Sequence, residues 1–390
     1  MYLLAACLLL SVYLLGIISG RIRENRTRDL LLFSAIVFAL ITRLNIGSDQ
    51  PSYQFAFQYM FDDPEGSYWY WYKRNPGFYG MNLILIRFIH SYRWYVLAVN
   101  LISLGLCTYV IVRSSRNILM SVLLFMGLGY LEVYYASGVR QMIAMSLFLF
   151  AYDRFLRKNR LLMYELCCLA ALTIHETVLP ALVLPLLRPA ADQLKKRPMR
   201  FLVGGTCISA VLALAAYVFI PRLIPLLGLD WQYWNIVGYL TDVNPSILGI
   251  GMECVFAAGI FGVYMLADKE KLDDFTAFSV GVFLFSVFLY IAFCGFSLMS
   301  RVSDTLQIYV IILLPNLLAA VAERRKKIVC ALGAMLLNVF LLCMDLKANL
   351  PRINRELGTE YTFITYPYVS LLDAEGCEEV FSHYYYYDGK

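Results

Sequence analysis

Three arginines lie at the ends of apolar runs, where a charged side chain is unfavourable. Arg43, Arg140 and Arg301 each sit at one end of an apolar run, and a guanidinium at that depth is costly unless it snorkels, pairs with an acid or faces a wet cavity. A guanidinium binds phosphate oxygens bidentately and stays protonated at every physiological pH. Three guanidinium groups that face the same side of the membrane could together neutralise the negative charge of a pyrophosphate. The alternative is that each arginine snorkels or pairs locally, as Arg301 could with Asp304.

Proton transfer has one candidate group in the apolar part of the chain. His175 interrupts an apolar stretch, and imidazole titrates near neutrality, so it could act as a base or as a charged phosphate ligand. The alternative is a histidine that makes one hydrogen bond at a helix tip. Glu132 and Glu253 also lie in apolar segments and could pair with an arginine. The 3 histidines are dispersed and no HExxH, GxSxG, Walker or DxD pattern occurs, so no metal centre is predicted.

Aromatic residues and acids crowd the segment between residues 43 and 93. From Tyr53 to Phe61 the aromatic residues alternate with other residues, a period of two that favours extended chain. A buried helix would also accommodate them, so the local structure stays open. The run from Tyr68 to Tyr72 has the composition of an interfacial aromatic anchor. Aromatic faces beside carboxylates also hold sugar rings, and composition does not choose between the two.

The elements that position these residues must be membrane helices. The 390 residues are 60% apolar and only 16% charged, with a mean hydropathy of +0.64, which excludes a soluble enzyme with one hydrophobic core. The net charge of +5 is explained by basic loops between spans, so nucleic-acid binding is not expected. Of the 10 cysteines, all but Cys377 lie in apolar segments, which argues against a disulfide framework.

About twelve membrane spans are expected, because a span needs about 20 apolar residues. Full-length or nearly full-length candidates are residues 1–20, 94–112, 117–135, 201–220, 248–266, 275–296, 306–321 and 328–344. Shorter candidates are residues 30–42, 77–89, 141–153, 161–173 and 177–187. Short or interrupted spans are typical of helices broken near a cavity. The sequence therefore predicts an all-α polytopic membrane protein with several short or broken helices.

The basic residues predict the orientation of the spans. Lys and Arg cluster in residues 21–28, 113–116, 154–160, 188–200, 269–271 and 324–327, and all these loops are cytoplasmic if both termini lie outside. This requires that residues 77–89 do not cross, so we expect a juxtamembrane or re-entrant helix there, in a long outer loop of residues 43–93. The chain would divide into a transmembrane domain, residues 1–345, and an extracytoplasmic tail, residues 346–390.

Four segments resemble the EpsG family, the Wzy-type polymerases of bacterial exopolysaccharide and O-antigen. They are RLNIGSDQPSY from Arg43, SGVRQMIAMSLFLFA from Ser137, LAALTIHETVLPAL from Leu169 and MSRVSDTLQIYVIILLP from Met299. Each segment is short, but all four follow in the order of the family. One departure is Thr177, where the family more often has Ser, together with the charged Glu176 directly after the histidine.

The resemblance implies a glycosyltransferase at the outer face of the bacterial cytoplasmic (inner) membrane, with its active site facing the periplasm or exterior. Donor and acceptor would be oligosaccharide repeat units on undecaprenyl pyrophosphate, and no cofactor or metal would be required because the leaving group is already a pyrophosphate. Arg140, Arg301 and Arg43 would hold that pyrophosphate, and Asp49 or His175 would take the proton of the acceptor. Candidate sugar contacts are Gln141, Tyr53 and Trp69. Membrane lipids, a flippase and chain-length regulator proteins would be its partners.

Three other functions fit part of the pattern. A lipid-linked oligosaccharide flippase or transporter also has many spans and charged residues near a cavity, but no internal repeat is evident. An O-antigen ligase would use similar residues with lipid A core as acceptor. A membrane acyltransferase built on His175 would need surroundings that the sequence does not display.

Overall fold

The computed structural model describes residues 2–18, 26–47, 49–63, 75–226, 247–294, 296–362 and 364–385. These ranges are helical and contain no β-strand, only two isolated bridges, which confirms the all-α prediction. Helices are expected here because the bilayer interior offers no partner for a backbone N–H or C=O group.

Sixteen α-helices are labelled here in chain order within the described residues. They are α1 (Tyr2–Ile18), α2 (Arg26–Ile41), α3 (Gln50–Asp62), α4 (Pro76–Ile86), α5 (Tyr92–Ser114), α6 (Ile118–Gly127), α7 (Val139–Ala151), α8 (Leu161–Ile174), α9 (Arg188–Lys196), α10 (Pro198–Leu226), α11 (Ile247–Leu266), α12 (Asp274–Phe293), α13 (Ser297–Gln307), α14 (Val310–Ala320), α15 (Arg324–Leu357) and α16 (Ala374–Tyr385). The π-helical segments are Tyr130–Tyr135 and Tyr152–Leu156, and the 3-10 segments are Glu176–Leu187 and Lys269–Lys271.

Five helices of the described chain are long and apolar enough to cross a bilayer. They are Tyr92–Ser114, Pro198–Ala216, Gly249–Leu266, Asp274–Phe293 and Arg324–Arg355. A sixth candidate is the pair formed by α13 and α14, which meet at a bend of 46°. The expected number of about twelve is therefore not confirmed, because several predicted spans form shorter or interrupted helices.

Two interruptions lie in segments predicted as single spans. Residues 117–135 form α6 and then a π-helical segment, separated by Gly129 with a φ of 78°. This left-handed conformation suits glycine because it has no Cβ. Residues 306–321 likewise span the end of α13, the bend and α14. These interruptions agree with the prediction of broken helices.

The chain divides into two compact units. The first unit comprises Met1–Lys158, Leu162–Glu176 and Ile328–Lys390. At its centre α7 packs on α5, and α2 packs on α5 and α6. Most α7 side chains are buried, as expected for a helix that is largely apolar.

The second unit comprises Asn159–Leu161 and Thr177–Lys327. Its central helix is α12, which contacts α9, α10, α11, α13 and α14. Asp273 caps α12, since its carboxylate accepts a hydrogen bond of 2.8 Å from the backbone N–H of Thr276.

The C-terminal residues belong to the first unit. Helix α15 continues to Leu357, past the domain boundary predicted at residue 345. Further on, Leu44 N–H donates to the carbonyl of Val369 at 2.8 Å, and Leu371 N–H donates to the carbonyl of Thr42 at 2.6 Å. The segment that precedes α16 thus pairs with the chain around Arg43, as a short antiparallel bridge.

Candidate active site

The site begins with the loop that follows α2. Gly47 lies so close to the segment before α7 that an added Cβ would come 2.4 Å from the carbonyl oxygen of Ala136. Gln50 donates from Nε2 to that same oxygen at 3.0 Å, and the hydroxyl of Tyr92 donates to Oε1 of Gln50 at 2.9 Å. The close approach of Gly47 and the hydrogen bonds of the Gln50 side chain therefore hold this loop next to the start of α7. Asp49 lies between these two residues in the chain.

Tyr53, one turn into α3, holds Arg140 in the first turn of α7. Its hydroxyl oxygen accepts from Nε of Arg140 at 3.3 Å and from the Arg140 backbone N–H at 3.5 Å. The guanidinium carbon lies 5.9 Å from the centre of the tyrosine ring. The tyrosine is buried and the arginine half-buried. Tyr53 therefore orients the arginine, and its predicted contact with a sugar stays a prediction.

Asn75, directly before α4, contacts the same guanidinium from another side. When its amide is assigned from the groups that it faces, the oxygen accepts from Nη1 of Arg140 at 2.6 Å and the nitrogen donates to the carbonyl oxygen of Ile174 at 2.8 Å. These two partners fix which way the amide faces, since one must receive and the other must donate. Asn75 thereby links Arg140 to the last residue of α8.

His175 follows immediately after α8. Its backbone N–H still bonds the carbonyl of Ala171 at 2.9 Å, and its Nδ1 lies 3.9 Å from Oε2 of Glu176. The imidazole side chain is only 9% exposed, but the carboxylate side chain is 58% exposed. The histidine thus lies inside the packed unit and the acid at its surface.

Arg140 interacts electrostatically with both Asp49 and Glu176. Elements far apart in the sequence thus bring one guanidinium, two carboxylates and an imidazole into the same region of the first unit. A half-buried cation of this kind can stabilise negative charge that develops on a ligand. A carboxylate or a neutral imidazole beside it can accept a proton.

The comparison with family models decides the classification. Residues 29–368, most of the chain, match the model of the EpsG family. The chain belongs to the EpsG family. EpsG-type proteins are Wzy-like polymerases, so the resemblance read from four short segments is confirmed. Searches of curated proteins and of solved structures found no match.

Arg43 of this EpsG-family chain has a different environment from Arg140. Its exposed fraction is 0%, and its guanidinium carbon lies 4.4 Å from the centre of the Tyr2 ring, a cation–π contact. Its carbonyl oxygen accepts from Nδ2 of Asn100 at 3.0 Å. In this structure Arg43 is therefore packed in the protein interior, and its predicted contact with phosphate stays a prediction.

Arg301 belongs to the second unit, where it is exposed on α13. The following residues form a polar face on that helix. Nε2 of Gln307 donates to Oε2 of Glu253 at 3.0 Å and to the hydroxyl of Ser303 at 2.8 Å. Glu253, a candidate partner for an arginine, thus receives a hydrogen bond from a glutamine. The side chain of Glu132 lies outside the described residues.

The remaining predicted site residues divide in two. Gln141 is buried in α7, and Trp69 lies outside the described residues.

Sequence reasoning missed Asn75, because Asn followed by Pro–Gly is most simply a helix start. It noted Glu176 only as a departure from the family pattern. No sequence signal indicated that either residue would lie near Arg140.

EpsG-family membership and the apolar helices together indicate a Wzy-like polysaccharide polymerase of the membrane. Among the described residues, no group of three or more His, Cys, Asp or Glu side chains could hold a metal ion. The candidate site is centred on Arg140, with Asp49, His175 and Glu176 in the same region.

Proposed function

We propose that the chain polymerises oligosaccharide repeat units carried on undecaprenyl pyrophosphate. The growing chain is transferred from its lipid carrier to a hydroxyl at the non-reducing end of the next unit. The reaction takes place at the outer face of the cytoplasmic membrane, where the positive-inside rule puts the ends of the spans that carry Arg140 and His175.

In the reaction one bond breaks and one forms. The bond between the anomeric carbon of the donor sugar and the pyrophosphate oxygen breaks, and the electron pair leaves with undecaprenyl pyrophosphate. The acceptor oxygen bonds to the anomeric carbon, and its proton passes to a base of the protein. The developing charge on the pyrophosphate is what a fixed cation must stabilise.

The observation that carries the proposal is the setting of Arg140. Tyr53 and Asn75 bind it at two different nitrogens, so the guanidinium is oriented before a ligand arrives. Prearranged donors cost no reorganisation during the reaction. A guanidinium has five N–H donors, and its fork matches the geometry of phosphate oxygens.

Asp49 or His175 serves as the base. Asp49 lies at the N-terminus of α3 and its side chain makes no hydrogen bond that caps the helix. Its charge interacts with Arg140, so a proton taken by this carboxylate would leave the acceptor next to the phosphate-binding cation. His175 is nearly buried, which suits a base that is reached only by a bound substrate.

Other assignments in the proposal come from the sequence. Arg43 and Arg301 are further pyrophosphate ligands, and Gln141, Tyr53 and Trp69 are sugar contacts. The full chain crosses the membrane about twelve times, with short spans that open laterally to the polyprenyl tail. A flippase supplies the lipid-linked unit, and a chain-length regulator limits the product.

The experiment uses the purified full-length chain in lipid nanodiscs with a synthetic undecaprenyl-pyrophosphate-linked repeat unit. We expect a ladder of products that differ by one repeat unit, and its loss in Arg140→Ala. The matched control is Arg157→Ala, which removes an arginine that pairs with Asp153 at 3.4 Å directly after the same helical stretch. A single transfer to lipid A core would instead indicate a ligase, and the absence of any product would favour transport. A normal ladder from Arg140→Ala would remove Arg140 from the site.

A further inference from the structure

We propose that Asn75 is a positioning residue that aims the guanidinium of Arg140 at the pyrophosphate. The inference rests on the proposed function, because it concerns how the phosphate-binding arginine is held. It adds a residue that neither the sequence pattern nor family membership assigns.

The first argument is what Asn75 does not do. It precedes α4, with Pro76 as the first helical residue, but its side chain makes no capping hydrogen bond. An asparagine at this position usually caps the helix with its own side-chain oxygen. Here the amide points away from α4 and forms its two bonds with Arg140 and Ile174. The side chain of Asn75 therefore forms its hydrogen bonds with α7 and α8, and none with the helix that it precedes.

The second argument is the requirement for an amide. Asn75 is 5% exposed, so each polar atom of its side chain needs a partner. One atom must accept from a guanidinium at 2.6 Å and the other must donate to a carbonyl at 2.8 Å. A carboxylate has no N–H to donate, and alanine fills neither role. An asparagine side chain supplies the donor and the acceptor at this spacing.

The third argument is the close fit of the neighbouring backbone. Gly77 approaches the last turn of α8, where an added Cβ would lie 2.1 Å from Oγ1 of Thr173. This contact holds residues 75–77 against α8 independently of the two Asn75 bonds. The packing of Gly77 on α8 therefore keeps the amide of Asn75 between α8 and Arg140.

The consequence for Arg140 is a fixed guanidinium plane. Tyr53 binds Nε and Asn75 binds Nη1, so rotation of the group would break at least one bond. A side chain already held in its binding conformation loses less freedom when a ligand binds. Asn75 thus raises the affinity for pyrophosphate without touching it.

The test measures binding of farnesyl pyrophosphate, with farnesol as the uncharged comparison, to the full chain in nanodiscs. We expect Asn75→Ala to weaken binding of the pyrophosphate about ten-fold, as the loss of a hydrogen bond to a charged group does, and to leave farnesol binding unchanged. Asn75→Asp keeps the shape but puts a carboxylate against Arg140, so it should weaken binding at least as much. The control is Asn82→Ala, at a buried asparagine within α4 whose Oδ1 accepts from the Tyr95 hydroxyl at 2.9 Å.

A double-mutant cycle separates positioning from a general structural role. Arg140→Lys keeps the charge but has no Nη1, so in that background Asn75→Ala should change affinity less than about two-fold. A ten-fold loss in both backgrounds would show that Asn75 does not act through Arg140 and would overturn the inference. If Asn75→Ala and Asn75→Asp both bind like the native chain while Arg140→Ala does not, Asn75 has no positioning role and the proposed function stands. Equal binding by the native chain and Arg140→Ala would instead contradict the proposed function.

Discussion

The hydroxyl of Tyr53 accepts hydrogen bonds from both the side chain and the backbone of Arg140, a residue 87 positions further along the chain. The two residues lie on α3 and α7. Tyr53 is itself packed, with its ring centre 6.1 Å from that of Phe78 on α4. The orientation of Arg140 therefore depends on the helices α3 and α4, and this dependence leads to the following predictions.

Tyr53→Phe removes only the accepting oxygen. We expect kcat/KM for polymer formation to fall about five-fold, which corresponds to a net hydrogen-bond contribution of about 1 kcal/mol, with little change in unfolding temperature because the ring packing remains. The measurement is product formation at several substrate concentrations. Tyr109→Phe, on a half-exposed tyrosine of α5, is the control, and an equal loss in both variants would argue against a role for the Tyr53 hydroxyl.

Arg140→Lys tests whether the fork of the guanidinium matters in addition to its charge. Lysine cannot bind Tyr53 and Asn75 at two nitrogens, so we expect kcat to fall about 100-fold, the effect of removing a donor that stabilises a developing anion. Single-turnover kinetics with the lipid-linked unit would measure it. Arg157→Lys should retain native kcat, and a fully active Arg140→Lys enzyme would mean that a positive charge alone suffices.

Gly47→Ala tests the seating of the loop that carries Asp49. The new methyl group would meet the backbone carbonyl of Ala136 at 2.4 Å, so the loop must shift, and we expect both unfolding temperature and polymer yield to fall. Gly80→Ala is the matched control, since nothing lies within 4 Å of its added Cβ. In the α4 helix that change should be neutral or stabilise by about 0.5–1 kcal/mol. Similar unfolding temperatures for the two variants would contradict the close approach at Gly47.

The loop after α11 should make stability depend on pH. The Asp268 carboxylate accepts from the Glu270 backbone N–H at 3.1 Å and lies 3.3 Å from Nζ of Lys271. The backbone bond first, and the lysine second, lower the pKa of Asp268 from its ordinary 3.8. A lowered folded-state pKa stabilises the fold above the ordinary value and is lost as pH falls through the folded value. Asp268→Asn should therefore unfold at a lower temperature than the native chain at neutral pH, and the difference should shrink below pH 3.8. A difference that is independent of pH would refute this.

The packing of α16 can be followed at Cys377. Burial raises the pKa of this thiol to about 11, and the thiol donates to the carbonyl of Ser370 at 3.3 Å. At pH 8 only about one thiol in a thousand would be thiolate, the reactive form. We expect slow maleimide labelling in a chain where Cys377 is the sole cysteine. Phe381→Ala removes a ring 5.3 Å from that of Tyr92 and should speed labelling, and rapid labelling of the parent chain would show that α16 is not packed.

Two features of the candidate site can be predicted from the sequence alone. Arg140 was singled out because an arginine at the end of an apolar run is costly, and the structure shows it half-buried with two neutral oxygens as hydrogen-bond acceptors. The end of a helix near His175 followed from the interruption of an apolar segment, and α8 ends at Ile174. The stretch from Tyr53 to Phe61, whose alternation left extended chain and buried helix open, is helical. Its aromatic residues are accommodated because one face is buried against α4 and α5, a case in which tertiary packing outweighs the local pattern.

The sequence by itself determined that this is an all-α membrane protein. Its apolar composition is typical of a chain in a bilayer, and apolar runs in a bilayer form helices because their backbone groups must bond internally. It also determined which side chains are too costly to lie there without a partner. Only the tertiary structure decided which partners they have. Asn75 meets Arg140 and Ile174 across 65 and 99 positions of the chain, whereas Arg43 is enclosed beside Tyr2. Contacts between distant residues depend on how helices pack, and neither periodicity nor residue type encodes that packing locally.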